Sequence, residues 1–439
     1  MYPNPQSAIP LPPRPNLEQY KKLAKDLVKA CKSGDSDAIQ RWAMDWMETL
    51  LLLQQTPSPS RARFEAEQIA KFAQSRLTRT HPGNRACALS DAQFIIARVH
   101  GFESWPKLAK HLEGLSQSQS PVSNFEAAAE AIVTGDLPAL VQLMRQDPAL
   151  VHARSTREHK ATLLHYVAAN GVENYRQKTP KNIVEIARVL LDSGAEVNAE
   201  CDVYGGGATT LGLAATSVHP EQAGVQIELM QLLLERGAVI ETGKQSAVVG
   251  CLANGRRQAA EFLASRGARL DLEGACGIGR LDVVRTFFTG DGSLKSNATL
   301  RQMRDGFAWA CQYGRKEIVE FLLAHGVDVT TPPKDETTTA LHWAAYGGHI
   351  DIVKLILERN PPLDARDKTY DGTPLDWALH GWAHPTDSAK RDNYYEVVAL
   401  LARAGAKVDE HWLAQDPDWP TAEKLRADTR MLAALRGSL

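Results

Sequence analysis

Thr339-Ala-Leu-His-Trp-Ala-Ala-Tyr-Gly-Gly-His-Ile-Asp-Ile-Val-Lys-Leu-Ile-Leu-Glu, residues 339–358, reads as two short helices across a glycine turn. The tryptophan at its centre, Trp343, has counterparts 34 residues away on either side, Trp309 and Trp377. Their frames are alike: Phe307-Ala-Trp-Ala-Cys, Leu341-His-Trp-Ala-Ala and Leu375-Asp-Trp-Ala-Leu. A large side chain returning at a fixed period means that one supersecondary unit is being stacked. Second-helix endings recur as well, at Leu232-Leu-Leu-Glu-Arg-Gly-Ala, Phe262-Leu-Ala-Ser-Arg-Gly-Ala, Phe321-Leu-Leu-Ala-His-Gly-Val and Leu400-Leu-Ala-Arg-Ala-Gly-Ala. Each carries apolar residues at i, i+3 and i+4 and then a Gly, where a helix stops in the left-handed conformation.

The stretch from Thr339 closely resembles the ankyrin repeat, which runs T-P-L-H-x-A-A-x-x-G-H into a second helix ending V-x-x-L-L. Asp371-Gly-Thr-Pro-Leu-Asp-Trp-Ala resembles it again, as does Ala161-Thr-Leu-Leu-His-Tyr-Val-Ala-Ala. Eight units follow on this reading, near 125–155, 159–200, 205–242, 244–272, 273–298, 301–332, 335–367 and 369–410. The second, third and eighth carry insertions, Val172–Pro180, His219–Gly224 and Ala383–Asn393, which in repeat arrays map to loops on one face. The tail 411–439, with Leu413, Trp419, Leu425, Met431, Leu432 and Leu435, reads as a helical cap over the last open face.

Residues 1–115 lack the period. Asn16 caps a helix through Lys32, Asp35 begins a second, Pro57 and Pro59 break it, and a third runs from Arg61 to Leu77. Two more helices follow across a turn at Gly101. This segment resembles the helical leader of bacterial ankyrin-repeat proteins, which implies a bacterial source but no activity. Residues 116–124, Ser-Gln rich, read as a linker. The expected fold is all-α: a helical leader, an ankyrin solenoid at 125–410 with β-hairpin fingers, and a helical cap.

The 439-residue chain is 44% hydrophobic and 23% charged, with a net charge of −2. That composition suits a globular protein and argues against broad attraction to nucleic acid or anionic membranes. No apolar run is long enough to span a bilayer and no secretory signal is readable. Cysteines at 31, 87, 201, 251, 276 and 311 form no Cys-x-x-Cys pair, so a reducing, cytoplasmic setting is expected. Lys107, Lys110 and His111 after the Gly101 turn superficially suggest a DNA-reading helix, but two lysines are weak grounds.

The ankyrin resemblance implies that first helices line a concave groove and that the residue after T-P-L-H faces into it. Aligned copies put Glu130, Tyr166, Leu213, Gly250, Gly274, Trp309, Trp343 and Trp377 at that position. Tyr313, Tyr346 and His380 neighbour it, with Trp382 just beyond. Bulky walls around two central glycines would make a pocket floor. The competing reading is that these aromatics only fill space between stacked helices. His165 and His342 hold the position whose ring bonds backbone in this family, and His349 sits at the turn into a second helix as a cap. His380 and His384 are four apart, yet Gly381, Pro385 and the lack of a third ligand leave no metal site expected. At the fingertips, Tyr204 and Tyr370 are binding candidates, beside turn-forming Asp202, Lys334, Asp335 and Asp371.

No G-x-S-x-G, H-E-x-x-H or Walker pattern is present, so no catalytic residue and no cofactor is assigned. The expected function is a scaffold that recognises a protein or peptide partner through groove and fingertips. The alternative is an aromatic-walled pocket for a small apolar ligand, with Glu130, Glu273, Asp305 and His380 as its acid–base candidates.

Overall fold

A computed structural model describes residues 4–33, 35–80, 88–242, 246–330, 337–385, 391–408, 412 and 420–438. The residues group into two compact units, Met1–Lys244 and Gln245–Leu439. The division falls inside the expected array rather than at 116–124.

In the first unit the described residues of the leader form α1 (Leu17–Lys32), α2 (Ala38–Leu53), α3 (Pro59–Thr80), α4 (Leu89–Val99) and α5 (Trp105–Ser116). Asn16 caps α1, accepting from the Glu18 N–H at 2.8 Å. Leu27, Met47, Ile69, Ile95, Ile96 and Leu108 meet in one core, each worth about 1.5–3 kcal/mol of burial. Ser120 caps the next helix, α6 (Pro121–Thr134), so the expected linker shrinks to residues 117–120. α6 pairs with α7 (Leu137–Gln146), and α8 (Leu163–Tyr166) with α9 (Ile183–Asp192). A short antiparallel ladder follows, β1 (Glu200–Cys201) with β2 (Ala208–Thr209), Glu200 opposite Thr209. Then come α10 (Thr210–Thr216), α11 (Val218–Gln222) in the third copy's insertion, and α12 (Gln226–Glu235).

The second unit continues with α13 (Ala247–Ala253) and α14 (Arg257–Ser265), then α15 (Leu272–Ile278) and α16 (Leu281–Thr286). The pairs α17 (Leu300–Gln312) with α18 (Lys316–Ala324), α19 (Ala340–Tyr346) with α20 (Ile350–Leu357), and α21 (Pro374–Ala383) with α22 (Arg391–Ala404) follow. α23 (Pro420–Ala427) and α24 (Thr429–Leu435) add Leu425, Met431 and Ala434 to the core of this unit. Leu413 and Trp419 of the expected cap lie outside the described residues, as does Cys87 of the leader.

Sequence chemistry sets these boundaries. A Thr, Ser or Asp stands at the N-cap of each first helix from α8 to α21: Thr162, Thr209, Ser246, Asp271, Thr299, Thr339 and Thr373. Gly348, at φ +64°, makes the left-handed exit from α19. Neighbouring pairs are then bridged by a side chain at or near the start of the second helix, which donates to a carbonyl of the preceding copy. Arg315 Nε reaches the Gly277 oxygen at 3.1 Å, His349 Nε2 the Gln312 oxygen at 2.9 Å, and the Tyr394 hydroxyl the Tyr346 oxygen at 2.7 Å. In the first unit Asn182 does the same for Gly135 at 2.9 Å. Each bond satisfies a carbonyl that a helix end leaves open. No helix among the described residues is long and apolar enough to cross a membrane.

The leader belongs to the first unit because the first finger is bonded into it. Arg157 Nη1 donates to the His100 oxygen at 3.0 Å, and the Glu158 N–H to the Gly101 oxygen at 2.9 Å. Arg157 is itself buried in a charged cluster made by the second copy's insertion. Its Nε pairs with Glu173, and its Nη2 lies 3.3 Å from Glu126. Arg176 Nη1 is 2.8 Å from Glu126 and 3.5 Å from Glu173. Burial opposes the charge on Glu173, but Arg157, His159 and Arg176 outweigh it and hold the carboxyl well below its usual range.

Candidate functional site

In the first unit two of the three expected groove residues are closed off. Tyr166 is 0% exposed: the insertion folds across it, with Glu173 3.5 Å from its hydroxyl and Arg176 over its ring. Leu213 is 2% exposed and packs on Gly171. Glu130 is exposed but lies 3.5 Å from Arg176. Tyr204 keeps an exposed ring, while its hydroxyl donates to Asn170 at 2.6 Å and receives the Gln6 amide from the segment before α1. Tyr166 and Leu213 are therefore core residues, which corrects the sequence reading.

In the second unit the pocket floor is also revised. A Cβ on Gly250 would meet nothing within 4 Å, whereas one on Gly274 would stand 3.2 Å from Asp271 and 3.4 Å from Val248. Gly274 is buried in the seam between neighbouring helices, so it cannot form an open floor. Gly277 and Gly306 show why glycines gather here. Their Cβ atoms would meet Leu252 at 2.3 Å and Cys276 Sγ at 3.0 Å, so α15 packs closely on both its neighbours. Trp309 lies beside Gly277, donates from Nε1 to Glu273 at 2.8 Å and stacks on Tyr313 at 6.2 Å. Tyr313 in turn donates to the Leu252 oxygen at 2.7 Å.

Trp343 and Trp377 sit in a different setting. His342 Nδ1 accepts from the Thr339 N–H at 3.0 Å, which leaves the proton on Nε2 to be donated to the Gly372 oxygen at 3.2 Å. Burial keeps this ring below its usual pKa, and its hydrogen bonds pin α19 to the finger before α21. In the next copy Asp376 replaces the histidine. It accepts from the Thr373 N–H at 2.8 Å and from Trp412 Nε1 at 2.8 Å. These two caps fix the helices that carry the indoles.

Trp377 is the hub of an aromatic cluster. Trp343 meets it edge-on at 4.9 Å, Tyr346 at 5.8 Å and Tyr370 at 6.3 Å. Tyr346 also stacks on His380 at 6.3 Å. Edge-to-face contacts of this kind add about 0.5–1.5 kcal/mol beyond burial. Trp343, Tyr346 and Trp377 are half-buried, His380 is exposed and Tyr370 is 78% exposed. The sequence reading passed over Asp367, which orders the finger. It accepts from the N–H groups of Thr369 (2.8 Å), Tyr370 (2.8 Å) and Gly372 (3.0 Å), and from Trp377 Nε1 (3.0 Å). Burial opposes ionisation of Asp367, but these bonds prevail and lower its pKa. An Asp opening a turn that closes on Asp-Gly was the available signal.

Between the paired histidines, Gly381 has a steric role. A Cβ there would stand 2.6 Å from the Tyr394 ring and 2.7 Å from the Tyr346 oxygen. Gly381→Ala is expected to cost about 1–2 kcal/mol net in urea unfolding, overpacking exceeding the gain in helix propensity. A stabilised variant would show that α21 and α22 are less tightly apposed.

Residues 272–367 and 307–411 match the sequence model of a family described as ankyrin repeats in three copies. The chain is similar to the crystal structure of the human ASB11 ankyrin repeat domain, at 22% identity over 62% of this chain and 96% of that one, with a TM-score of 0.32. No curated protein matches the chain. The matched span contains the helix pairs from α15 to α22, with their glycine exits and, from α17 onward, Thr caps, and residues 272–411 of the chain are ankyrin repeats.

Proposed function

We propose that the cluster of Trp343, Tyr346, Trp377, Tyr370 and His380 holds an extended segment of a partner protein. Ankyrin repeats are in general protein-interaction scaffolds. The observation that carries the finer reading is the anchoring of the cluster: Trp377 and the Tyr370 backbone are both tied to the buried Asp367 carboxylate. An aromatic face fixed before binding loses little conformational freedom when a partner arrives, and Trp and Tyr dominate contact energetics. Trp309 is a weaker candidate, since its polar tip is already held by Glu273. The small-molecule alternative keeps only Gly250 as open floor.

The test is selection of a displayed library of random dodecapeptides on the full chain. Selected peptides are expected to bind Trp377→Ala and Trp343→Ala at least tenfold more weakly, with Tyr204→Phe unchanged. Peptides that bind all of these variants alike would place recognition elsewhere.

A further inference from the structure

The first unit contains a cavity of about 600 Å³, walled by the segment before α1, by one side of α3 and by the insertion between α8 and α9. That volume lies within the range of small-molecule pockets. Its charged lining is Arg61 and Glu65, four residues apart on α3, with Lys178 on the insertion. Opposite charges at that spacing commonly pair across a helix surface. Here the side chains of Arg61, Glu65 and Lys178 make no hydrogen bond or close ion pair among the described residues. Glu65 is half-buried, and its burial pushes the carboxyl up in spite of Arg61. Two primary amides, Gln68 and Asn174, line the same space. The Tyr175 wall is fixed, because Arg157 Nη2 donates to its hydroxyl at 3.2 Å and so ties it to the buried cluster.

We propose that this cavity binds a short peptide with free termini, of di- or tripeptide size, with its ammonium at Glu65 and its carboxylate at Arg61 and Lys178. A simple anion would leave Glu65 without a partner, and a simple cation would leave Arg61 and Lys178 facing it. A neutral ligand would leave all three charges unmatched. A zwitterion answers each of them, and the guanidinium fork suits a carboxylate. The Gln68 and Asn174 amides each offer both a donor and an acceptor, the pattern that a peptide linkage requires. A single amino acid would leave most of the volume to water.

The experiment uses the full chain and a random tripeptide pool, with the same pool acetylated and amidated at its ends. The free pool is expected to raise the midpoint of thermal unfolding and to give a calorimetric binding signal, as a ligand selective for the native state must. The capped pool is expected to do neither. Glu65→Gln and Arg61→Gln should each weaken the free pool at least tenfold while their ligand-free midpoints stay near that of the parent chain. Absence of any shift with the free pool would overturn the proposal. So would equal shifts with free and capped pools, or binding undiminished in both variants. Should a variant unfold, the comparison of free with capped pools on the parent chain decides.

Discussion

Arg157→Met is expected to destabilise the first unit by about 3–5 kcal/mol, the loss that follows when one partner of a buried ion pair is removed. The side chain is 1% exposed and faces two carboxylates, Glu173 and Glu126. Without it, Arg176 must balance both with only His159 beside Glu173 to assist, and the 3.0 Å bond to the His100 oxygen is lost as well. Hydrogen exchange read peptide by peptide during urea unfolding should show protection falling at residues 95–102 and 157–176. The double variant Arg157→Met, Glu173→Leu should recover more than half of that loss, since Glu126 keeps its 2.8 Å partner Arg176 and no buried charge is left over. A single-variant cost below about 1 kcal/mol would mean that the cluster is solvated and does not join leader to repeats.

Trp382→Ala should cost the second unit about 3–5 kcal/mol, the range for removing a large buried aromatic side chain. Trp382 is 0% exposed and sits in the core with Tyr394 and Tyr395. Trp343→Ala, a half-buried position, should cost distinctly less while removing peptide binding. Thermal unfolding of the two variants side by side tests this division. Equal losses would mean that the 34-residue stripe is core like its neighbour, and the binding proposal would fall with it.

These two tryptophans mark where the sequence was readable. Thr caps, glycine exits and apolar spacing are local signals, and they placed the helix pairs well. The identity of the residue after T-P-L-H is local too, but its exposure is not. Tyr166 and Trp343 share one position in the motif. The first is buried because Glu173 and Arg176, both within the insertion Val172–Pro180, turn inward over it. An insertion has no period, so nothing in its pattern shows where it folds. Gly274 misled for a related reason. A missing side chain can open a space or admit a neighbouring helix, and the choice depends on residues of another helix, here Val248 on α13. The Trp343–Trp377 cluster was legible as a stripe; the turn signal at Asp367 was legible too, but not its bond to the Trp377 indole, which only the fold brings about.

The bridges from Arg315, His349 and Tyr394 all run from a later copy to the one before it. A ribosome releases the earlier copy first, so each newly emerged second helix delivers the donor that its predecessor still lacks. Within this unit, folding can therefore keep pace with synthesis, each copy being closed by its successor. A stalled chain would leave only its latest copy unsealed.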